Sequence, residues 1–220
     1  MADMSKKDKI VTYLKDKYDP EVLILHGSRA AGQATEHSDW DIFMFDDQEL
    51  PSESGRGFGI ELDVDAKKLP INTKKEVENE FGCQLKHAKI LHDTDGVGKH
   101  ILELAEDLYA DGFNATQKEL DDKKNNSRRT YYRLAERSEH IAHLYRLDFV
   151  AYSTRYWYQV LQNEWQDNFY FAFPRIKSED PNYYENLMRV LKDDDYSKRL
   201  ASARWIHGEL FGEDVKELGS

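Results

Sequence analysis

Two short apolar runs near the N-terminus restrict the fold of this 220-residue chain more than any other feature. The first run, EVLILHG (21–27), ends at a glycine, and the second, DWDIFMF (39–45), begins at an acidic residue. Apolar runs of roughly four to eight residues are typical of buried strands. A third run, GIELDVDAKK (59–68), alternates apolar and acidic residues, which predicts a strand with one buried face and one acidic face. The chain therefore begins with strands of a sheet.

Helical patterns alternate with these strands. Apolar residues at helical spacing predict helices over 5–17, 73–81 and 97–112, and a further strand is predicted over 84–92. Alternation of helices and strands is the pattern of an α/β domain. We therefore expect a mixed β-sheet with flanking helices over residues 1–112.

The second half of the chain has no pattern typical of a strand. Apolar residues recur at helical spacing over 116–147, 148–168, 181–192 and 195–211. The segment FYFAFPRIKSEDP (169–181) contains two prolines and predicts a break between helices. An all-α helical-bundle domain is therefore predicted over residues 113–220.

The composition restricts the partners and the compartment. The chain has 31 basic and 42 acidic residues, a net charge of −11, which disfavours a nucleic-acid partner and is compatible with a cationic ligand. Cys83 is the only cysteine, so an intrachain disulfide is excluded and a reducing compartment is expected. The sequence contains no run of about 20 apolar residues and no signal-peptide pattern at its start. We therefore expect a soluble, cytoplasmic protein without a membrane partner.

Two acids, Asp39 and Asp41, open the second apolar run. Side chains at i and i+2 of a strand point to the same face, so these acids lie roughly 6–7 Å apart along the strand and can share divalent cations. Such a pair suits phosphoryl or nucleotidyl transfer, where two Mg²⁺ ions about 4 Å apart take oxygen ligands. The step Gly27-Ser28 suits phosphate, because backbone N–H groups beside a glycine can approach phosphate oxygens closely. Ser28 adds a hydroxyl group and Arg29 adds a cation.

The stretch GSRAAGQATEHSDWD resembles the signature of the DNA polymerase β-like nucleotidyltransferase superfamily, in particular its minimal and aminoglycoside-modifying members. The resemblance implies that the Gly-Ser step binds a nucleoside triphosphate and that the two acids hold Mg²⁺. It also implies that an acid from a later strand is a metal ligand or the general base. The residues that match the signature are Gly27, Ser28, Gly32, Ser38, Asp39 and Asp41. The predicted nucleotide-binding residues are Gly27, Ser28, Arg29 and Ser38.

Three acids on the third strand are candidates for the third carboxylate. Glu61, Asp63 and Asp65 all fall on its polar face. Asp63 is preferred because it is central and lies between two apolar residues, as in the family pattern, and the other two acids stay open as alternatives. The predicted catalytic and metal-binding residues are Asp39, Asp41 and Asp63, with two Mg²⁺ ions as cofactor.

The predicted reaction transfers a nucleoside monophosphate, AMP from ATP, to a hydroxyl acceptor and releases pyrophosphate. The acidic balance favours an aminoglycoside-like antibiotic as the acceptor. Two alternatives are a protein adenylyltransferase of a toxin–antitoxin type and a nucleotide-binding or antitoxin module with little catalysis. The sequence leaves open whether a homodimer completes the site. A weaker resemblance is that Arg137 and His143 are spaced as in HEPN-type ribonucleases.

Overall fold

Two units make up the chain, Met1–Asp111 and Gly112–Ser220. The structure, a computed structural model, describes residues 5–57, 60–136, 139–167 and 169–213.

Within the described residues, the first unit is built on a five-stranded mixed sheet with flanking helices. Its strands are β1 Val22–Leu25, β2 Trp40–Asp46, β3 Glu53–Gly57, β4 Ile60–Lys68 and β5 Lys89–Asp93. Its helices are α1 Lys6–Tyr18, α2 Gly27–Ala30, α3 Lys74–Phe81 and α4 Val97–Ala110. The strand order is β3-β4-β2-β1-β5, in which β2 and β4 are parallel and the other neighbours are antiparallel. The predicted α/β fold class is confirmed.

The alternation of side chains along β2 and β4 separates a buried face from an acidic face. Ile42 and Met44 of β2 and Val64 of β4 belong to the same buried cluster as Ile10 and Leu14 of α1. Because the period of a strand is two residues, the odd-numbered positions of β2 and β4 point to the other face. Asp41 of β2 and the acids Glu61, Asp63 and Asp65 of β4 therefore lie on the face opposite to α1.

Aromatic side chains cover part of this second face. Phe43 and Phe45 of β2 pack against Phe81 of α3, with ring centroids 5.0 Å and 5.8 Å apart. Helix α3 begins at a capping box formed by Thr73 and Glu76, which satisfies two backbone N–H groups at the start of the helix. The aromatic cluster buries the later part of β2, while the first part carries the acids.

Strand β3 lies in a segment whose sequence predicts only a polar connection. It forms an edge strand that pairs with β4 alone, so it needs no second apolar face. Its first residue, Glu53, is held to α1: it accepts hydrogen bonds from the hydroxyl groups of Tyr13 and Tyr18, each at 2.7 Å, and from Lys17 at 2.9 Å. These tertiary contacts, and not an apolar pattern, stabilise the edge strand.

The strand predicted over 84–92 is shorter in the structure. Residues 84–88 form turns, in which the N–H groups of Gln84, Lys86 and Ala88 donate to carbonyl oxygens three residues earlier. Leu85, within these turns, is buried. Its apolar character therefore reflects core packing in a turn, and β5 begins only at Lys89.

All described elements of the second unit are helical, as predicted. They are α5 Gln117–Glu136, α6 Glu139–Tyr156, a π-helical turn at Trp157–Leu161, α7 Phe169–Glu179, α8 Pro181–Lys192 and α9 Tyr196–Phe211. None of the helices in the described part of the chain is long and apolar enough to span a bilayer. Arg137 and the side chain of His143, which carry the HEPN-like spacing, lie outside the described residues.

Helix α7 runs through the segment that its prolines predict to be a break. Pro174 lies inside this helix, where it removes one backbone hydrogen bond and disfavours the helical conformation. Ala172 and Ile176, which flank it, are completely buried in the core of the second unit. The free energy gained by burying this helix face offsets the cost of the proline in the helix.

The junction between β5 and α4 provides a test of the first unit's stability. The Asp93 carboxylate accepts hydrogen bonds from the backbone N–H groups of Gly96, Gly98 and Lys99 at 3.0 to 3.2 Å. We expect Asp93→Ala to lower the free energy of unfolding by about 1–2 kcal/mol, because the first turn of α4 loses its acceptor. Urea denaturation measures this loss. The matched control is Asp95→Ala, which replaces an exposed acid in the same turn. An equal loss of unfolding free energy in both variants would contradict the role of Asp93 as the acceptor for the first turn of α4.

Candidate active site

Gly27 brings the backbone after β1 into contact with an acidic side chain of β2. Its φ of +67° is left-handed, and a Cβ atom at this position would lie 2.1 Å from Oδ2 of Asp41. The N–H of His26 donates to the carbonyl oxygen of Asp41 at 2.9 Å. Only glycine allows both this conformation and this approach. The Gly-Ser step and the acidic motif are therefore packed directly against each other.

The three acids predicted to bind metal lie together, two of them at the start of β2 and the third on the parallel strand β4. Asp41 of β2 is in register with Asp63 of β4, and neighbouring strands are separated by about 4.8 Å. Asp39 lies two residues before Asp41, just ahead of the first residue of β2. Asp39 and Asp63 are exposed, whereas Asp41 is half-buried. The fold thus groups two exposed acids around a less exposed one.

The ionisation of Asp41 reflects this environment. Its pKa is raised from 3.8 to about 6, first by burial and then by the negative charges of Asp39 and Asp63, while Arg29 partly opposes the increase. A divalent cation would relieve the repulsion among these acids, and their oxygen atoms are the ligands that Mg²⁺ prefers. The residues present therefore fit a divalent metal ion.

The three acids of β4 have different neighbours. Oδ2 of Asp65 lies 3.0 Å from Nζ of Lys67, so its charge is compensated. Glu61 is exposed and lies opposite an arginine of β3. Asp63 lies beside Asp41, and no ion pair involves it among the residues that the structure describes. These surroundings favour Asp63 as the third carboxylate of the site.

The other predicted nucleotide-binding residues lie in and beside the loop that connects α2 to β2. Nε of Arg29 donates to the carbonyl oxygen of Asp39 at 2.7 Å, and its Nη2 donates to that of Ser38. Oγ of Ser38 accepts a hydrogen bond from the N–H of Thr35 at 3.0 Å. Ser28 is half-buried next to the glycine turn. These contacts of Arg29 and Ser38 are internal to the loop, and nucleotide binding by these residues stays a prediction.

His26 is a neighbour of the site that the motif did not include. Its ring stacks on Phe43, with centroids 3.9 Å apart and planes 10° apart. Burial lowers its pKa to about 4, although Asp65 and Asp39 favour the charged form. The imidazole is therefore neutral at pH 7. Strand periodicity is the signal that could have found it, because Phe43 shares a face with Asp41.

A second group of acids lies at the other end of β2. Glu21, Asp46 and Asp47 place one carboxylate oxygen each within 4.8 Å of the others. Asp46 is buried, and its Oδ1 accepts the N–H of Gln48 at 2.9 Å. Five residues separate it from Asp41, a distance of roughly 17 Å along a strand. This group is therefore distinct from the candidate active site.

Comparison with known proteins identifies the first unit. Residues 8–106 match the model of the family described as Polymerase beta, Nucleotidyltransferase. This part of the chain belongs to the DNA polymerase β-like nucleotidyltransferase superfamily, which confirms the resemblance of its motif. Among solved structures, a nucleotidyltransferase-like protein from Exiguobacterium sibiricum 255-15 has 11% identity and a TM-score of 0.45, over 94% of this chain and 75% of that chain. No curated protein sequence matches the chain.

The contact between Gly27 and Asp41 can be tested with two glycines of the same backbone conformation. Gly32 also has a positive φ, of +75°, but a Cβ there would meet nothing within 4 Å. We expect Gly32→Ala to lower the free energy of unfolding by about 1–2 kcal/mol through backbone strain alone. Gly27→Ala should lower it by about 1–3 kcal/mol more, because its methyl group displaces the Asp41 carboxylate. Urea denaturation compares the two, and similar losses would refute the contact.

The raised pKa of Asp41 predicts a pH dependence in the metal-free protein. The folded state binds the proton more strongly than the unfolded state, so the free energy of unfolding should fall as the pH rises from 3.8 to about 6. Carboxyl ¹³C NMR should show the Asp41 midpoint near pH 6 and a lower midpoint in Asp39→Asn. An Asp41 midpoint at an ordinary value would show that the three acids do not interact.

Proposed function

We propose that the protein is a Mg²⁺-dependent nucleotidyltransferase that moves AMP from ATP to a hydroxyl group of an acceptor. The observation that carries this proposal is the packing of Gly27 against Asp41. This contact joins a turn suited to phosphate with a cluster of acids suited to a divalent cation. Family membership of residues 8–106 supports the same reaction class.

Each part of the site has a task in this reaction. Backbone N–H groups at Gly27 and Ser28, with the hydroxyl group of Ser28, bind phosphate oxygens of the nucleotide. Asp39, Asp41 and Asp63 hold the metal. When bound, Mg²⁺ neutralises the charge on the triphosphate and polarises the reacting phosphoryl group.

Asp63 is also the proposed general base. The acceptor oxygen bonds to the α-phosphorus, the bond from that phosphorus to the bridging oxygen breaks, and pyrophosphate leaves. The proton of the acceptor hydroxyl passes to the Asp63 carboxylate; in the alternative role, Asp63 would be a third ligand of the metal. The ion pair of Asp65 with Lys67 makes Asp65 less suited to either role.

An aminoglycoside-like polycation is the acceptor that the charge distribution favours. Glu61 and Asp63 are exposed acids of β4, and the whole chain has a net charge of −11. A polycationic small molecule is attracted by such a surface, whereas the phosphates of RNA or DNA are repelled. We therefore propose an activity of the kind that confers antibiotic resistance.

Substitution of the acids tests the proposed chemistry. We expect Asp39→Asn combined with Asp41→Asn to abolish Mg²⁺-dependent turnover of ATP. Asp63→Asn should lower kcat roughly 100- to 10,000-fold, as expected for a lost general base or metal ligand. Asp65→Asn is the matched control, because it removes a paired acid from the same strand face, and it should retain most activity. Equal losses at Asp63 and Asp65, measured by pyrophosphate release, would contradict the assignment of the third carboxylate.

The acceptor can be identified with ATP labelled at the α-phosphate. We expect label to pass to an aminoglycoside when a panel of these compounds, total RNA and candidate proteins is supplied with Mg²⁺. Label on a protein would show that the acceptor is a protein, as in the toxin–antitoxin type, and not an antibiotic. ATP binding without transfer to any acceptor would favour a nucleotide-binding module and overturn the proposed reaction.

A further inference from the structure

Arg29 contacts three consecutive residues at the start of β2. Its Nε donates to the carbonyl oxygen of Asp39 at 2.7 Å, and its Nη2 donates to the carbonyl oxygen of Ser38. Its guanidinium carbon lies 4.9 Å from the centroid of the Trp40 ring. A single side chain therefore links the turn after β1 to the loop residue that carries the first acid.

Asp39 depends on this contact more than Asp41 does. Asp41 lies within β2, is in register with Asp63, and its carbonyl oxygen accepts the N–H of His26. Asp39 precedes the first residue of the strand and is exposed. Its backbone carbonyl oxygen accepts a hydrogen bond from Arg29. The sheet fixes Asp41, whereas the arginine fixes Asp39.

The geometry of these contacts is specific to arginine. A guanidinium group is planar, presents its N–H donors in a fixed fork and stacks on aromatic faces. Here the fork spans two successive carbonyl oxygens while the same group lies against an indole ring. The compact ammonium group of lysine retains the charge but cannot reproduce the fork and the stacking together.

We propose that Arg29 is a positioning residue for Asp39 and not a ligand of the nucleotide phosphates. It holds the backbone of Ser38 and Asp39 so that the Asp39 carboxylate faces the same cation as Asp41. This inference rests on the proposed function, because it takes these acids to be metal ligands. It revises the nucleotide-binding role that the sequence suggests for Arg29.

Arg29→Lys tests the inference because it keeps the charge and removes the fork. We expect the dissociation constant of Mn²⁺, measured by electron paramagnetic resonance with a non-hydrolysable ATP analogue bound, to rise about tenfold or more. The Mg²⁺ concentration for half-maximal activity should rise by a similar factor. Affinity for the same analogue without metal should stay within about twofold, because the lost bonds are to protein carbonyl groups. Arg189→Lys, at an exposed arginine of the second unit, controls for the general effect of replacing an arginine by a lysine.

Substitutions of Trp40 provide a second route if Arg29→Lys folds poorly. Trp40→Leu removes the aromatic face beneath the guanidinium group and should weaken Mn²⁺ binding in the same direction, while Trp40→Phe, which keeps an aromatic face, should weaken it less. Thermal unfolding establishes that each variant is folded at the assay temperature. Equal effects of the two substitutions would count against the stacking contact.

Two results would overturn the inference. If Arg29→Lys weakens binding of the metal-free nucleotide tenfold and leaves Mn²⁺ affinity unchanged, Arg29 is a phosphate ligand. If it changes neither affinity, Arg29 positions nothing in the site. Failure of the proposed function has a separate signature: the wild-type protein would bind Mn²⁺ through Asp39 but transfer no nucleotide to any acceptor. In that case the positioning role of Arg29 would stand.

Discussion

The close approach of Gly27 to the carboxylate of Asp41 is the constraint on which the rest of the site depends. A Cβ atom at position 27 would overlap this carboxylate, so the turn after β1 and the acids of β2 can meet only through a glycine. The register of β2 with β4 then places Asp63 beside Asp41. The fold thereby joins the backbone proposed to bind phosphate and the acids proposed to bind a metal ion.

The grouping of these acids produces repulsion between their negative charges, and a neighbouring lysine limits this repulsion. Burial and the charges of Asp39 and Asp63 raise the pKa of Asp41, so the metal-free site is less stable when fully ionised. Nearby, Lys67 compensates Asp65, which keeps a fourth negative charge from adding to the cluster. The repulsion that remains would favour binding of the proposed divalent cation. The site is thus arranged for a ligand that restores charge balance.

Sequence patterns predict elements well where local periodicity and burial agree. The strands β1, β2 and β4 and the helices α8 and α9 follow apolar patterns of the right period. The pattern fails for β3, an edge strand of polar residues held by Glu53 to α1, and for α7, which continues through Pro174 because its apolar face is buried. In both cases contacts distant in sequence outweigh the local preference.

The sequence by itself determined the family of the first unit and the residues of its motif, because glycine, serine and paired acids at this spacing are demanded by the chemistry of nucleotides and metals. From the sequence, Asp63 is preferred to Glu61 and Asp65 only by its central position and the family pattern, since all three alternate onto one strand face. The strand register that places Asp63 beside Asp41, and the ion pairs of Lys67 with Asp65 and Glu80, arise only when β2, β4 and α3 pack together. The contacts of Arg29 were likewise decided by tertiary structure, because they join a turn to a loop ten residues away.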